Sequence, residues 1–175
     1  PEIPLPDRNE YLYRPYRIGG ETGQVVCFFR DDQLSDLIGF EYSRWFGRDA
    51  AENVVQSLER IYHSTPDEVN PVVSVILDGE NAWESYPYNG FYFLNDLYSL
   101  LDEHPYIRTT TYRDYISDAS NLSVIGTLPT LTAGSWVYGT FSTWIGDREK
   151  NYAWDLLCAA KQSFDLVMQS DRLTK

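Results

Sequence analysis

The chain has 175 residues, enough for a domain that buries roughly 70% of the surface of its unfolded form. Hydrophobic residues make up 43% and charged residues 23%, a composition typical of globular proteins. The 14 basic and 26 acidic side chains give a formal net charge of −12, which argues against nucleic acid and anionic membranes as partners, because both attract clustered cations. No run of 18 apolar residues predicts a membrane span.

The first part of the chain alternates predicted strands with predicted helices. The glycine-rich residues 19–23 predict a hairpin turn, and Val25–Phe29 is continuously apolar, as in a strand buried on both faces of a parallel sheet. A turn of helix near Leu34–Phe40 comes next, and the apolar spacing over Asp49–Tyr62 predicts a longer helix. Val72–Leu77 has the composition of a second buried strand.

Helices and a strand continue to alternate in the predicted elements up to about residue 117, where the composition changes. They are predicted as a helix over Tyr92–Glu103, a weaker strand over Tyr106–Thr111, a short helix near Tyr112–Ala119, and an amphipathic helix over Asn151–Met168 with Asp147 as its N-cap. Residues between 117 and 146 are rich in Gly, Ser and Thr with aromatic residues among them, which predicts a long ordered loop. Helical crossovers between strands predict an α/β fold with parallel neighbours.

Acidic residues follow both predicted buried strands. Active-site residues of parallel sheets and barrels lie at the carboxyl ends of the strands. Asp78 and Glu80 follow the second strand, and a partly desolvated carboxyl there would suit a general acid. The alternative is that Asp78 caps a turn and Glu80 is solvated. Asp31 follows the first strand and also fits a helix N-cap, while Arg30 either orients a carboxylate across the site or pairs with a neighbour.

The histidines and the absence of two motifs argue against several kinds of catalytic site, whereas the aromatic content is open to two explanations. The two histidines, His63 and His104, lack the spacing of a zinc pair, and neither a nucleophile elbow nor a phosphate loop is present, so we predict no metal and no cofactor. Aromatic residues make up 15% of the chain. Either a ring-rich core or a sugar-binding cleft explains that content, and composition leaves both open.

Three stretches of the chain carry a resemblance to a known family. The first runs from Pro15–Ile18 into Phe29–Phe40, the second is Leu77–Glu84, and the third runs from Gly134–Trp136 to Asp155. In this order they resemble glycoside hydrolase family 57, which contains α-amylases, amylopullulanases, branching enzymes and 4-α-glucanotransferases.

The resemblance implies part of an incomplete (β/α)7 barrel with parallel strands, followed by the start of a helical region. It assigns residues 1–116 to the C-terminal portion of the barrel and residues 117–175 to an active-site loop and the beginning of the helical region. It also implies a retaining mechanism on an α-glucan oligosaccharide or polysaccharide, with Asp78 as the acid/base. The residues expected to contact the substrate or support the site are Arg30, Asp31, Glu80, Trp83 and Trp136.

The nucleophile glutamate of the family is expected upstream of Tyr11, and a retaining mechanism needs it as a second carboxyl group. We therefore expect a fragment that is inactive alone and self-associates through exposed barrel edges. A non-catalytic carbohydrate-binding relative that has lost the nucleophile is the alternative. No signal peptide is visible, which favours the cytoplasm, but the chain starts without an initiator methionine and the compartment stays open.

Overall fold

The computed structural model describes residues 8–20, 23–66, 70–80, 82–135 and 137–170. The fold is mixed α/β, and the chain divides into two compact units, Pro1–Thr130 and Leu131–Lys175. In the first unit the helices and strands are α1 (Arg8–Leu12), β1 (Tyr16–Gly20), β2 (Gly23–Cys27), α2 (Asp32–Asp36), α3 (Gly47–Ser64), α4 (Phe91–Asp102), α5 (Tyr112–Ser117) and β3 (Gly126–Thr127). The second unit contains α6 (Arg148–Gln169).

A small three-stranded sheet begins the fold. β1 and β2 pair antiparallel, with Tyr16 opposite Cys27 and Gly20 opposite Gly23, so the hairpin that the glycines predict is confirmed. β3 pairs parallel to β1, and the strand order is β2-β1-β3. The short β3 brings residues that are far along the chain back to the first strand.

The prediction that Val25–Phe29 forms a strand buried on both faces is wrong. β2 ends at Cys27 and lies at the edge of the sheet, and the side chain of Val25 is 60% exposed. The two phenylalanines that follow β2 account for the apolar run in another way. Phe29 packs on Tyr16 with ring centroids 5.7 Å apart, and Phe28 packs on Tyr112 with centroids 4.5 Å apart. The apolar run therefore serves ring packing beyond the strand.

The strands predicted over Val72–Leu77 and Tyr106–Thr111 are not formed in the described residues. In the first segment Ser74 alone makes a β-bridge, a parallel one with Arg30. A strand requires a partner along its length, and the described residues supply this segment with a single bridge. The predicted alternation of strands and helices is thus not formed at residues 72–77 and 106–111, and the (β/α)7 barrel remains a prediction.

The hydrophobic core lies between α3 and α4, whose positions confirm the helices predicted over Asp49–Tyr62 and Tyr92–Glu103. Gly47 begins α3 close to α4, since a Cβ placed on it would lie 3.1 Å from the backbone nitrogen of Phe93. Thr65 ends α3 by donating to the carbonyl oxygen of Ile61. The buried core residues are Leu34, Ile38, Tyr42, Ala50, Ala51, Val54, Tyr86 and Phe93.

The second unit consists of a loop followed by α6. Asp147 caps α6 by accepting a hydrogen bond from the backbone nitrogen of Glu149, as predicted. The loop is held to the start of the helix by Lys150, which donates to the carbonyl oxygen of Ser142, and by the indole of Trp154, which donates to that of Trp144. None of the helices in the described ranges is long and apolar enough to cross a membrane.

Candidate active site

The segment that leads to Asp78 is tied to the residues around the start of α2. The backbone nitrogen of Asp31 donates to the carbonyl oxygen of Ser74 over 2.9 Å, next to the parallel bridge between Ser74 and Arg30. Two residues further on, the backbone nitrogen of Ile76 donates to Oγ of Ser35 over 3.2 Å. Asp31 and Asp78 therefore each follow one of two segments that run parallel at this bridge.

Asp78 and Glu80 are both exposed, and Gly79 lies between them in a turn with open space where a Cβ would be. Neither carboxylate forms a hydrogen bond or ion pair with another described residue. The alternative in which Glu80 is solvated therefore matches the structure. Asp78 is exposed, so the partial desolvation that the sequence suggested for a general acid is not present, and its carboxyl is accessible to a bound molecule.

Arg30 is held by two contacts within the protein. Its Nε donates to the carbonyl oxygen of Ile76 over 2.9 Å, and its Nη2 lies 2.6 Å from Oδ1 of Asp36. The side chain of Arg30 is 36% exposed. Its pairing with a neighbouring carboxylate is the alternative that the sequence left open.

Asp31 is buried, with 3% of its surface exposed, and it is the N-cap of α2. Its Oδ1 accepts a hydrogen bond from the backbone nitrogen of Leu34, and its Oδ2 accepts one from the hydroxyl of Tyr13. The helix-capping alternative is therefore confirmed. Contact between Asp31 and a substrate stays a prediction, and it would require changes in a carboxylate that already has two protein donors.

Trp83 packs on the core rather than standing free in solvent. Its ring lies 5.5 Å from that of Tyr86 and 6.2 Å from that of Phe93, measured between centroids. Gly90 has a left-handed backbone with φ 79°, and a Cβ there would lie 3.3 Å from Cε3 of Trp83. Stacking of Trp83 on sugar stays a prediction, and the contacts with Tyr86 and Phe93 favour a role in the core instead.

The residue predicted at the third stretch, Trp136, lies outside the described residues. The loop around it is tightly turned, because a Cβ on Gly134 would lie 2.4 Å from the carbonyl oxygen of Gly139. The hydroxyl of Ser135 donates to the carbonyl oxygen of Thr140 over 2.9 Å. These contacts agree with the prediction of an ordered loop.

Two tyrosine hydroxyls in the core, those of Tyr42 and Tyr86, have raised pKa values. Burial, and to a smaller extent the neighbouring Tyr42, raises the pKa of Tyr86 to about 12. The Tyr86 hydroxyl donates to the carbonyl oxygen of Ile38. Burial also raises the pKa of Tyr42, whose hydroxyl donates to Oδ1 of Asn53 over 2.6 Å. Both hydroxyls therefore stay protonated at neutral pH and act as hydrogen-bond donors in the core.

Sequence reasoning missed Ser35, whose hydroxyl holds Ile76 from inside the protein with 0% of the residue exposed. The available signal was a small polar residue beside Leu34 on the buried side of a short helix. It also missed Tyr13, which no local pattern connects with Asp31. In the parts of the chain that the structure describes, no three His, Cys, Asp or Glu side chains come together as a metal site.

The sequence matches the profile of Glycosyl hydrolase family 57 over residues 5–127, well over half of the chain. The match includes the segment that ends at Asp78, while the third resembling stretch lies beyond it. No protein of curated function matches the chain. Membership in such a family supports a glycoside hydrolase or transglycosylase activity with a carbohydrate as substrate. The chain belongs to glycosyl hydrolase family 57.

Proposed function

We propose that this chain is the part of a retaining, α-glucan-active glycoside hydrolase or transglycosylase that carries the acid/base, Asp78. The position of Asp78 is the observation that supports the proposal most directly. It is exposed, and it follows a segment that runs parallel to residues 30–31 at the Ser74 bridge. Active-site residues of α/β proteins gather where neighbouring parallel segments end. The family match covers this position.

In the proposed reaction the Asp78 carboxyl donates its proton to the glycosidic oxygen while the bond from that oxygen to the anomeric carbon breaks. A second carboxylate, the nucleophile, forms a bond to the anomeric carbon and holds the sugar covalently. The Asp78 carboxylate then takes a proton from water or from a sugar hydroxyl, which displaces the nucleophile. Water as acceptor gives hydrolysis, and a sugar hydroxyl gives transfer.

The two carboxyl groups of a retaining enzyme lie roughly 5–5.5 Å apart. The resemblance implies a nucleophile in a motif upstream of Tyr11, so we propose that residues 1–175 by themselves do not turn over glucan. General acid catalysis by itself contributes about 10²–10⁴-fold, less than typical enzymatic accelerations of about 10⁶-fold or more.

The test is the turnover of maltooligosaccharides by the natural full-length protein and its Asp78→Asn variant. We expect turnover to fall by about 10²-fold or more, because the amide lacks an acidic proton, and substrate binding to persist. Asp102→Asn is the matched control, since Asp102 is an exposed carboxylate at the end of α4. Glu80→Gln is expected to cost less than Asp78→Asn, as suits a supporting residue.

Unchanged turnover in a folded Asp78→Asn protein would remove Asp78 from the mechanism. A natural full-length protein that binds maltooligosaccharides and turns over none of them would instead establish the alternative, a carbohydrate-binding relative without a nucleophile. Thermal unfolding of each variant, followed by circular dichroism, shows whether a loss of turnover reflects a loss of fold.

A further inference from the structure

We propose that Arg30 is a positioning residue for Asp78 and acts through the backbone of Ile76. This inference rests on the proposed role of Asp78 as the acid/base. The relevant contacts form a unit, here named the Ile76 clamp, in which the side chains of Arg30 and Ser35 hold the two backbone polar groups of Ile76. Arg30 Nε donates to the carbonyl oxygen over 2.9 Å, and Ser35 Oγ accepts from the backbone nitrogen over 3.2 Å.

The clamp takes the place of a β-ladder. In the described residues the segment 72–77 has one β-bridge, at Ser74, and no strand. In a strand the neighbouring chain supplies partners to the backbone N–H and C=O groups, and a residue such as Ile76, which is 40% exposed, otherwise relies on side chains or water. At Ile76 two side chains supply both partners, so the geometry of these side chains decides how the chain leaves Ile76.

Both parts of the clamp have further contacts within the protein. The guanidinium of Arg30 lies 2.6 Å from Oδ1 of Asp36, which limits its rotation while Nε donates to Ile76. Ser35 belongs to α2 and is fully buried, and Asp31 caps the same helix. A guanidinium presents several donors in a rigid planar fork, which lets one side chain bind two acceptors at once.

The distance from the clamp to the proposed acid/base is short. Asp78 is two residues beyond Ile76, and an extended chain spans about 3.3–3.6 Å per residue, so a rotation at Ile76 passes almost directly to Asp78. Asp78 has no partner of its own among the described residues that would correct such a shift. A displacement of about 1 Å in a catalytic group can lower the rate about 10²-fold.

The resemblance implied that Arg30 either contacts substrate or supports the site, and a substrate contact differs in its kinetics from a positioning residue. A substrate contact made equally in the ground and transition states raises KM when it is removed. A positioning residue leaves KM nearly unchanged and lowers kcat. Loss of a positioning residue should also depend on the leaving group as loss of Asp78 does. A poor leaving group needs the proton from Asp78, whereas a strongly acidic phenol leaves without it.

The experiment uses the natural full-length protein with Arg30→Ala, Arg30→Lys and Ser35→Ala. The substrates are maltooligosaccharide and an aryl maltoside with a strongly acidic phenol as leaving group. For Arg30→Ala we expect kcat on maltooligosaccharide to fall about 10–100-fold with KM within about twofold. On the aryl maltoside the rate of bond cleavage, measured as the burst of phenol, should fall only a few-fold in Arg30→Ala. The same small decrease is expected for Asp78→Asn on this substrate.

Arg30→Lys should give an intermediate loss, since an ammonium cannot reproduce the two-acceptor fork. Ser35→Ala should show the same dependence on the leaving group, because it removes the other half of the clamp. Arg48→Ala is the matched control and should change neither kcat nor KM, since Arg48 pairs with Glu52 over 2.8 Å and both residues belong to α3. Should Arg30→Ala fail to fold, Arg30→Lys and Ser35→Ala carry the same comparison.

Three results would overturn the inference. A raised KM with unchanged kcat in the Arg30 variants would make Arg30 a substrate contact. Equal losses on both substrates would show a merely structural role. Full activity of the folded variants would show that the clamp does not matter to Asp78. A failure of the proposed function is seen separately, in an Asp78→Asn protein with normal turnover of maltooligosaccharide.

Discussion

The hydroxyl of Tyr13 donates to Oδ2 of Asp31 over 2.7 Å in the interior of the protein. The other carboxylate oxygen of Asp31 caps α2 through the backbone nitrogen of Leu34. A residue just after a predicted strand end thus joins three parts of the fold: the segment before β1, the start of α2 and, through its backbone nitrogen, Ser74.

We predict that Tyr13→Phe and Asp31→Ala destabilise the fold non-additively. Asp31→Ala should lower the free energy of unfolding by about 2 kcal/mol, because it removes both the N-cap of α2 and the buried hydrogen bond from the Tyr13 hydroxyl. A double-mutant cycle with urea unfolding should give a coupling energy of about 1 kcal/mol. Asp147→Ala, which removes the cap of α6, is the control and should show no coupling to Tyr13→Phe; additive effects of Tyr13→Phe and Asp31→Ala would contradict the prediction.

Trp83 should contribute mainly to stability. Because it packs on Tyr86 and Phe93, Trp83→Ala is expected to cost about 2–3 kcal/mol, and Trp83→Phe about 1 kcal/mol. The KM for maltooligosaccharide in the folded Trp83→Phe protein should stay within about twofold. Thermal unfolding and steady-state kinetics on the same variant check both statements. A large rise in KM at unchanged stability would instead support sugar stacking by this residue.

Tyr86 should make the protein sensitive to alkali. Its pKa is raised from 10.0 to about 12, mainly by burial, so above pH 10 the unfolded chain loses this proton first. The contribution of Tyr86 to stability is therefore present below pH 10 and is lost as the pH rises from 10 towards 12.

Urea unfolding at stepwise pH measures this loss. At neutral pH Tyr86→Phe should cost about 1–3 kcal/mol, because the carbonyl oxygen of Ile38 loses its donor. The difference between the natural protein and Tyr86→Phe should shrink between pH 10 and 12. The exposed Tyr98 provides the control, and Tyr98→Phe should give only a small difference at neutral pH. A constant difference for Tyr86→Phe would rule out the linkage.

His104 should stabilise the packing of α3 against α4. Its Nδ1 accepts a hydrogen bond from the backbone nitrogen of Ile107, so Nε2 carries the proton and donates to Oε1 of Glu59 on α3 over 3.2 Å. The ring is also edge-on to Tyr106, with centroids 4.5 Å apart.

His104→Phe keeps a ring at this position and removes both hydrogen bonds, so the free energy of unfolding should fall by about 1–2 kcal/mol. His63→Phe is the control; His63 is exposed, and its replacement should change the free energy by less than about 0.5 kcal/mol. Chemical unfolding at neutral pH measures both values. Equal effects of the two substitutions would show that the contact with Glu59 contributes nothing.

Local pattern was sufficient for the helices and the hairpin. The apolar spacing over residues 49–62 and 151–168 predicted α3 and α6, and Asp147 was recognised as a cap because its hydrogen bond reaches only two residues along the chain. The strand predicted over Val72–Leu77 failed for a different reason. An apolar run favours burial, but strand formation also requires a partner along its length, which the described residues do not supply, and Val75 and Ile76 are each 40% exposed.

The sequence by itself determined the family, the main helices and the place of Asp78 directly after an apolar segment. Only the tertiary structure decided which of the neighbouring polar residues serve the fold: Asp31 as a buried cap bound to Tyr13, and Arg30 as a donor to a carbonyl oxygen 46 residues away. The physical reason is that a side chain selects its partner by distance in the folded chain. Contacts over such separations leave no local spacing in the sequence from which they could be inferred.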